Sequence, residues 1–176
     1  MKYLLDFDRT LFDTNSCYTD LALKWGEPLQ FTPELWSRLS ASDYLYSEVK
    51  PWFATKDSAD VIIITAFTPE YGPDSKAYQA EKVKSSGLSE EVSRVIVMEG
   101  EKGQTVKSVV STLPVTEKVV FVDDRIEQCL SVKRANPEVI VCLMVRDRAV
   151  IGDVSSVQGI YVVHCLRDVD DVINKV

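Results

Sequence analysis

Short apolar runs punctuate the chain at Tyr3-Leu5, Val61-Ile64, Val95-Met98, Val119-Val122, Val139-Val145 and Ile160-Val163. They are continuous rather than alternating and rich in Val and Ile, the pattern of strands covered on both faces, as in a parallel sheet flanked by helices. Helical spacing fills the gaps. Val106, Val109, Val110 and Leu113 recur at i, i+3, i+4 and i+7 before Pro114, and Val169, Val172, Ile173 and Val176 repeat the pattern near the end. Asp74-Ser75 offers a cap for a helix running to Gly87, and Ile126, Cys129 and Leu130 open another that stops by Asn136-Pro137. Strand then helix, repeated, predicts an α/β fold with a doubly wound, Rossmann-like parallel sheet.

The stretch between the first two strands is too long for a plain crossover and predicts a small helical insertion over 14–60 within a single α/β domain spanning 1–176. Tyr18, Leu21, Ala22 and Trp25 share a helix face, Thr32-Pro33 reads as an N-cap and first helical residue, and Tyr44-Leu45 with Val49 and Trp52-Phe53 suggests a third helix. Its aromatics, Trp25, Trp36, Tyr44, Tyr46 and Trp52, are expected to form the insertion's own core, with a minority lining a substrate pocket.

In an open parallel sheet, ligands bind at the carboxyl ends of the strands. The polar residues closing the apolar runs are Asp6 and Asp8, Thr65, and Asp123-Asp124, while Lys102-Gly103 opens the helix at Gln104. If those strands are neighbours, their carboxylates converge, and two like charges ~4 Å apart cost ~4 kcal/mol at an effective dielectric near 20. A cation is then needed. Oxygen ligands without His or Cys favour Mg²⁺. Thr65 and Lys102 add a hydroxyl and a point charge suited to phosphate oxygens. Singly, each residue has a plainer use: acids cap helices, and Thr65 suits a turn.

Together these residues resemble the four motifs of the haloacid dehalogenase superfamily. Leu4-Leu5-Asp6-Phe7-Asp8-Arg9-Thr10 resembles the first motif, Ile62-Ile63-Ile64-Thr65 the second, Lys102 ahead of its helix the third, and Phe121-Val122-Asp123-Asp124 the fourth. The resemblance implies a Mg²⁺-dependent phosphatase in which Asp6 is the nucleophile and forms an aspartyl-phosphate. It implies that Asp8 serves as acid and base and lends its backbone carbonyl to the metal, with Asp123 and Asp124 as further ligands and Asp124 the surer one. Thr65 and Lys102 would fix the phosphate and the nucleophile. The position of Lys102 ahead of the paired acids separates the pattern from receiver domains of two-component signalling. The second Asp favours phosphoryl transfer over carbon-halogen cleavage. Other activities compatible with the same residues are a phosphotransferase or mutase, and a phosphate-binding interaction module without turnover.

Two positions stay open at this level. Arg9 stands where the family often has a small residue, and either sets a cation beside the site or, the favoured reading, projects into solvent. Lys107 and Lys56 compete with Lys102 for the lysine role.

Composition narrows the partners. A net charge of -7 without a Lys/Arg-rich run disfavours a nucleic-acid surface. Cys17, Cys129, Cys142 and Cys165 are scattered and read as reduced core thiols, and His164, the only histidine, as a strand-end packing residue. No apolar stretch nears the ~20 residues of a membrane span, and no signal-peptide pattern is present. The expectation is a cytoplasmic protein acting on a small phosphorylated metabolite, its site partly open or covered by another subunit because the insertion is short.

Overall fold

The computed structural model describes residues 1–26, 32–147 and 159–176. Six strands form one parallel sheet: β1 (Lys2–Leu5), β2 (Val61–Phe67), β3 (Arg94–Glu99), β4 (Val119–Asp123), β5 (Ile140–Met144) and β6 (Ile160–Val163), in spatial order β3-β2-β1-β4-β5-β6. Every apolar run named above becomes a strand. The order reverses between β1 and β4, where Leu4 pairs with Phe121 and Leu5 with Val122. This switch point is where a doubly wound sheet opens a crevice.

The continuous runs are explained by two cores. Leu4, Ile62, Ile64, Phe121 and Val141 point to one face, against α4 (Gly103–Val110) and α5 (Ile126–Ala135). Leu5, Ile63, Val120, Val122 and Val163 point to the other, against α1 (Thr14–Trp25), α2 (Val49–Phe53), α3 (Ser75–Ser85) and α6 (Leu166–Ile173). Each fully buried Leu or Ile in these layers stabilises the fold by roughly 1.5–3 kcal/mol. Alternation along the four inner strands is invisible in the sequence because both of their faces are dry.

The segment 14–60 departs from expectation in three ways. Only Val49–Phe53 of the third expected helix is α-helical, and Ala41–Tyr44 is a 3₁₀ turn, as is Pro33–Ser37 after Thr32, whose side chain caps nothing. Residues 27–31 of the segment lie outside the described residues. The aromatics do not form a separate core. Trp36 and Trp52 are buried with the sheet, Trp52 meeting the Tyr3 ring edge-on at 5.1 Å, whereas Trp25 is exposed. An aromatic in a short segment buries more area against an existing sheet than against other turns.

Smaller expectations shift similarly. The Asp74 side chain makes no capping bond at α3, and α4 ends at Val110 in a turn rather than running on to Leu113. Three cysteines are buried, and burial pushes the Cys17 and Cys142 thiols up to about 12, so they pack as inert hydrophobes. His164 follows β6 and bonds the Val145 carbonyl through Nδ1 at 2.8 Å. No helix among the described residues is long and apolar enough to cross a membrane.

Candidate active site

Asp6 leaves β1 with its backbone N–H still paired to Val122 O at 2.8 Å, so the sheet itself aims this carboxylate at the switch point. Beyond it the chain folds back, with Leu11 and Phe12 donating to Phe7 O and Arg9 N–H donating to Phe12 O at 2.7 Å. Arg146, at the exit of β5, clamps this loop by donating to the Thr10 carbonyl and to Glu48 Oε1. Asp13 then caps α1 by accepting from Ser16 N–H at 3.0 Å, which starts the helix so that Thr14, Asn15 and Tyr18 face the cleft.

Carboxylate oxygens of Asp6, Asp123 and Asp124 lie within 4.8 Å of one another. Lys102 Nζ, with 1% of its surface exposed, pairs with Asp6 Oδ1 and with Asp123 Oδ2, the latter at 2.7 Å. The backbone of Lys102 is held by α5: its N–H donates to Gln128 Oε1 at 2.8 Å, and Gln128 Nε2 donates to Gly100 O. Gly103 permits this approach, since a Cβ there would stand 2.5 Å from Ser131 O. Lys107 is exposed on α4 and Lys56 pairs with Asp170, so Lys102 is the lysine brought to the strand ends.

Asp8 stands apart from the three-carboxylate cluster and has its own cation. Lys82 Nζ, from the last turn of α3, pairs with Asp8 Oδ1, Thr14 Oγ1 donates to the same oxygen at 2.6 Å, and Gln79 Nε2 donates to Asp8 Oδ2 at 2.6 Å. Gln79 Nε2 also donates to Thr65 Oγ1 at 2.7 Å. Both amide protons are thereby used, and the Thr65 hydroxyl hydrogen is left to point elsewhere. Lys82 is 1% exposed and lies beneath aromatic rings, including Phe12 at 4.9 Å and Tyr18 at 5.7 Å.

The electrostatic consequences diverge. Burial drives the Asp6 carboxyl well above its ordinary value, reinforced by the neighbouring acids and opposed by Lys102. Burial also pushes Asp124 up to about 6 against the pull of Arg9. For Asp8, burial is outweighed by the Lys82 charge and the bonds from Lys82, Thr14 and Gln79, which hold its carboxyl below the usual range.

Arg9 does not project freely into solvent as expected. Its Nε lies 2.8 Å from Asp124 Oδ2, with 49% of the side chain still exposed. The Arg9 φ of 56° is the only left-handed value at a non-glycine among the described residues, and it swings the side chain over Asp124.

Sequence reasoning missed Lys82 and Gln79. The signal was present on α3, where Ser75, Tyr78, Gln79 and Lys82 occupy i, i+3, i+4 and i+7 and are all buried. Polar residues at core-facing spacing mark a helix packed on a polar site rather than on a hydrophobic layer. None of the five aromatics expected to build the insertion's core lines the cleft of about 340 Å³; the insertion's aromatic contribution is Tyr18, which lines it beside Phe67, Tyr71 and Tyr78. A larger hollow of about 670 Å³ at the opposite strand ends, near Val119 and Ile140, is walled mainly by Val, Leu and Pro and lacks a convergent polar cluster.

The donor set is oxygen-only and convergent, which fits a hard divalent cation such as Mg²⁺. Both Asp123 oxygens are already hydrogen-bonded, Oδ2 by Lys102 and Oδ1 by Arg125 N–H at 2.9 Å, leaving Asp6 and Asp124 the freer donors.

No protein-family model matches the sequence, and no curated protein resembles it significantly. Solved structures do. A haloacid dehalogenase-like hydrolase of Burkholderia xenovorans LB400 superposes with a TM-score of 0.69 at 16% identity, covering 98% of this chain and 96% of that one. A haloacid dehalogenase-like family hydrolase of Xanthomonas campestris gives 0.62 at 16% identity over 100% and 99% of the two chains. A third such protein, from Streptococcus pneumoniae, gives 0.63 at 12% over 98% and 97%. The chain therefore has the fold of the haloacid dehalogenase-like hydrolases along nearly its whole length.

Proposed function

We propose that the chain is a Mg²⁺-dependent phosphatase of the haloacid dehalogenase type, removing the phosphoryl group from a small phosphate monoester through an Asp6 phosphoenzyme. The observation that carries this reading is the Asp6 carboxylate at the switch point, with Lys102 on one oxygen and Asp124 in the same cluster. Free buried cysteines suit a reducing compartment, and we place the reaction in the cytoplasm.

Asp6 Oδ2 is the oxygen available to attack phosphorus, since Lys102 holds Oδ1. Attack forms the Asp6–phosphorus bond and breaks the bond to the leaving oxygen, which takes its proton from Asp8 in its protonated form and leaves Asp8 as the carboxylate. Water then attacks the phosphoaspartate, gives its proton to Asp8, and releases phosphate with Asp6 restored. Asp6 and Asp124 would hold Mg²⁺ with help from Asp123 and the Asp8 backbone carbonyl. The ion would supply charge neutralisation to the phosphoryl oxygens. Lys102 orients the nucleophile, and the Thr65 hydroxyl, accepting from Gln79, has its hydrogen to donate to a phosphoryl oxygen.

Asp8, held ionised by Lys82, Thr14 and Gln79, is suited to taking a proton from water. As an acid it must first be protonated, and that disadvantage shrinks as the leaving oxygen becomes less basic. Aryl phosphates are therefore expected to turn over faster than alkyl phosphates. The test is phosphate release from 4-nitrophenyl phosphate and a simple alkyl phosphate with Mg²⁺, for wild type and Asp6→Asn. The variant should lose roughly 10³-fold or more. Equal rates would remove Asp6 from the chemistry.

A further inference from the structure

The carboxylates of the cleft differ in one respect that bears on how a metal could enter. Lys102, on Asp6 and Asp123, and Lys82, on Asp8, are both 1% exposed and boxed in by the core, so neither can leave. The cation on Asp124 is different. Arg9 is half exposed, sits on a surface loop and lines the cleft. It is also costly to place there, because its φ of 56° puts it in the left-handed region, which strains a side-chain-bearing residue and which glycine adopts freely. A strained residue whose side chain lands on one carboxylate of a candidate site points to a use for that contact.

When fully ionised, Asp6, Asp123 and Asp124 carry three negative charges, of which Lys102 and Arg9 offset two. A divalent cation entering this set meets two resident positive charges and has to take an Asp124 oxygen from a guanidinium. A phosphoryl dianion changes that balance, since it accepts the released guanidinium bidentately and restores negative charge beside the metal.

Resting on the divalent-cation reading of the cluster, we propose that Arg9 is a resident counter-ion of Asp124 that the metal must displace. The free protein then holds the metal weakly, and a phosphoryl group, by receiving Arg9, couples its own binding to that of the metal. The coupling is reciprocal: whatever factor phosphate contributes to metal affinity, metal contributes to phosphate affinity. Arg9 is in this sense a determinant of binding order at the site.

The test uses Mn²⁺ as probe, with free ion measured by electron paramagnetic resonance, with and without inorganic phosphate. Arg9→Gly is the principal variant because glycine relieves the left-handed strain, and Arg9→Gln keeps the length while removing the charge. Wild type should bind Mn²⁺ weakly and tighten about tenfold with phosphate. Both variants should bind Mn²⁺ about two- to fivefold more tightly than wild type without phosphate, an ordinary value for losing a competing ion pair, and lose most of the phosphate effect. Arg9→Lys should retain part of it. Identical Mn²⁺ affinity and identical phosphate coupling in wild type and Arg9→Gly, with binding abolished in Asp124→Asn, overturn the role of Arg9 alone. Absence of Mn²⁺ binding in wild type and variants, with or without phosphate, overturns the metal site and this inference with it.

Discussion

Two buried lysines meet two aspartates of one loop from opposite faces of the sheet, and they do different things. Lys102 comes from the strand-to-helix turn before α4 and bridges Asp6 to Asp123 across the switch point. Lys82 comes from the last turn of α3 and, with Thr14 and Gln79, encloses Asp8. Asp6 is left with its carboxyl raised and Asp8 with its carboxyl lowered, although they stand two residues apart. Proximity in sequence therefore says little about electrostatic environment; what matters is how many donors the fold brings to each oxygen.

The largest expected effect that separates the two regions is Lys102→Met. It strips the cation from two buried carboxylates, and breaking buried pairs of this kind costs about 3–5 kcal/mol. We expect a large drop in melting temperature, measured by calorimetry, together with loss of turnover.

Lys82→Met should cost less, because Asp8 keeps its bonds from Thr14 and Gln79. Activity should fall by roughly 10²–10⁴, the range of a misplaced acid-base group. Adding Asp8→Asn should recover much of the lost stability without recovering activity, as replacing both partners removes the stranded charge. A double variant no more stable than Lys82→Met would show that the lysine matters through packing alone.

Gly103→Ala tests the Lys102 side through its backbone. The added Cβ meets Ser131 O at 2.5 Å, and such overpacking costs about 1–3 kcal/mol. Since Lys102 is adjacent, turnover should fall along with stability, whereas a stability loss with intact turnover would detach α4 packing from the site.

The smallest effect is a matter of pH, measured on metal-free protein. A carboxyl lowered in the folded state, as in Asp8, contributes stability that is present above its unfolded value near ~4 and lost as pH falls through the folded value. Asp8→Asn should therefore flatten the acid limb of the stability profile. Asp6 has the opposite sign: its raised carboxyl favours the fold at low pH, and that contribution is lost as pH rises through the folded value. Asp6→Asn should thus raise the neutral-pH melting temperature even as it ends turnover. A fall would mean that Lys102 compensates the buried charge fully.

What could be read in advance follows from local chemistry. Strands dry on both faces must be continuously apolar, which made β1, β2, β4 and β5 visible, and the edge strands β3 and β6 were visible because they are apolar runs as well, although they are less buried. Asp6, Thr65 and Asp123 were legible because each ends or directly follows an apolar run, and Lys102 because it opens a helix. Lys82 and Gln79 were not, because a polar residue inside a helix, or a lysine in its last turn, ordinarily means a solvated face. Only the packing of α3 onto the strand ends turned that face inward. The insertion aromatics erred for the mirror reason: burial was foreseeable for Trp36 and Trp52, but the partners that bury them, Phe12 and Tyr78 for Trp36 and Tyr3 for Trp52, lie outside the insertion.

Arg9 shows the same division at a single position. The sequence by itself placed a large cation inside an acidic motif and determined the strands, their chemistry and the order of the carboxylates. Whether that cation faced water or Asp124 depended on one left-handed backbone angle and on the approach of β4 to β1. Long-range pairing of this kind is set by the closure of the whole sheet, and only the tertiary structure decided it.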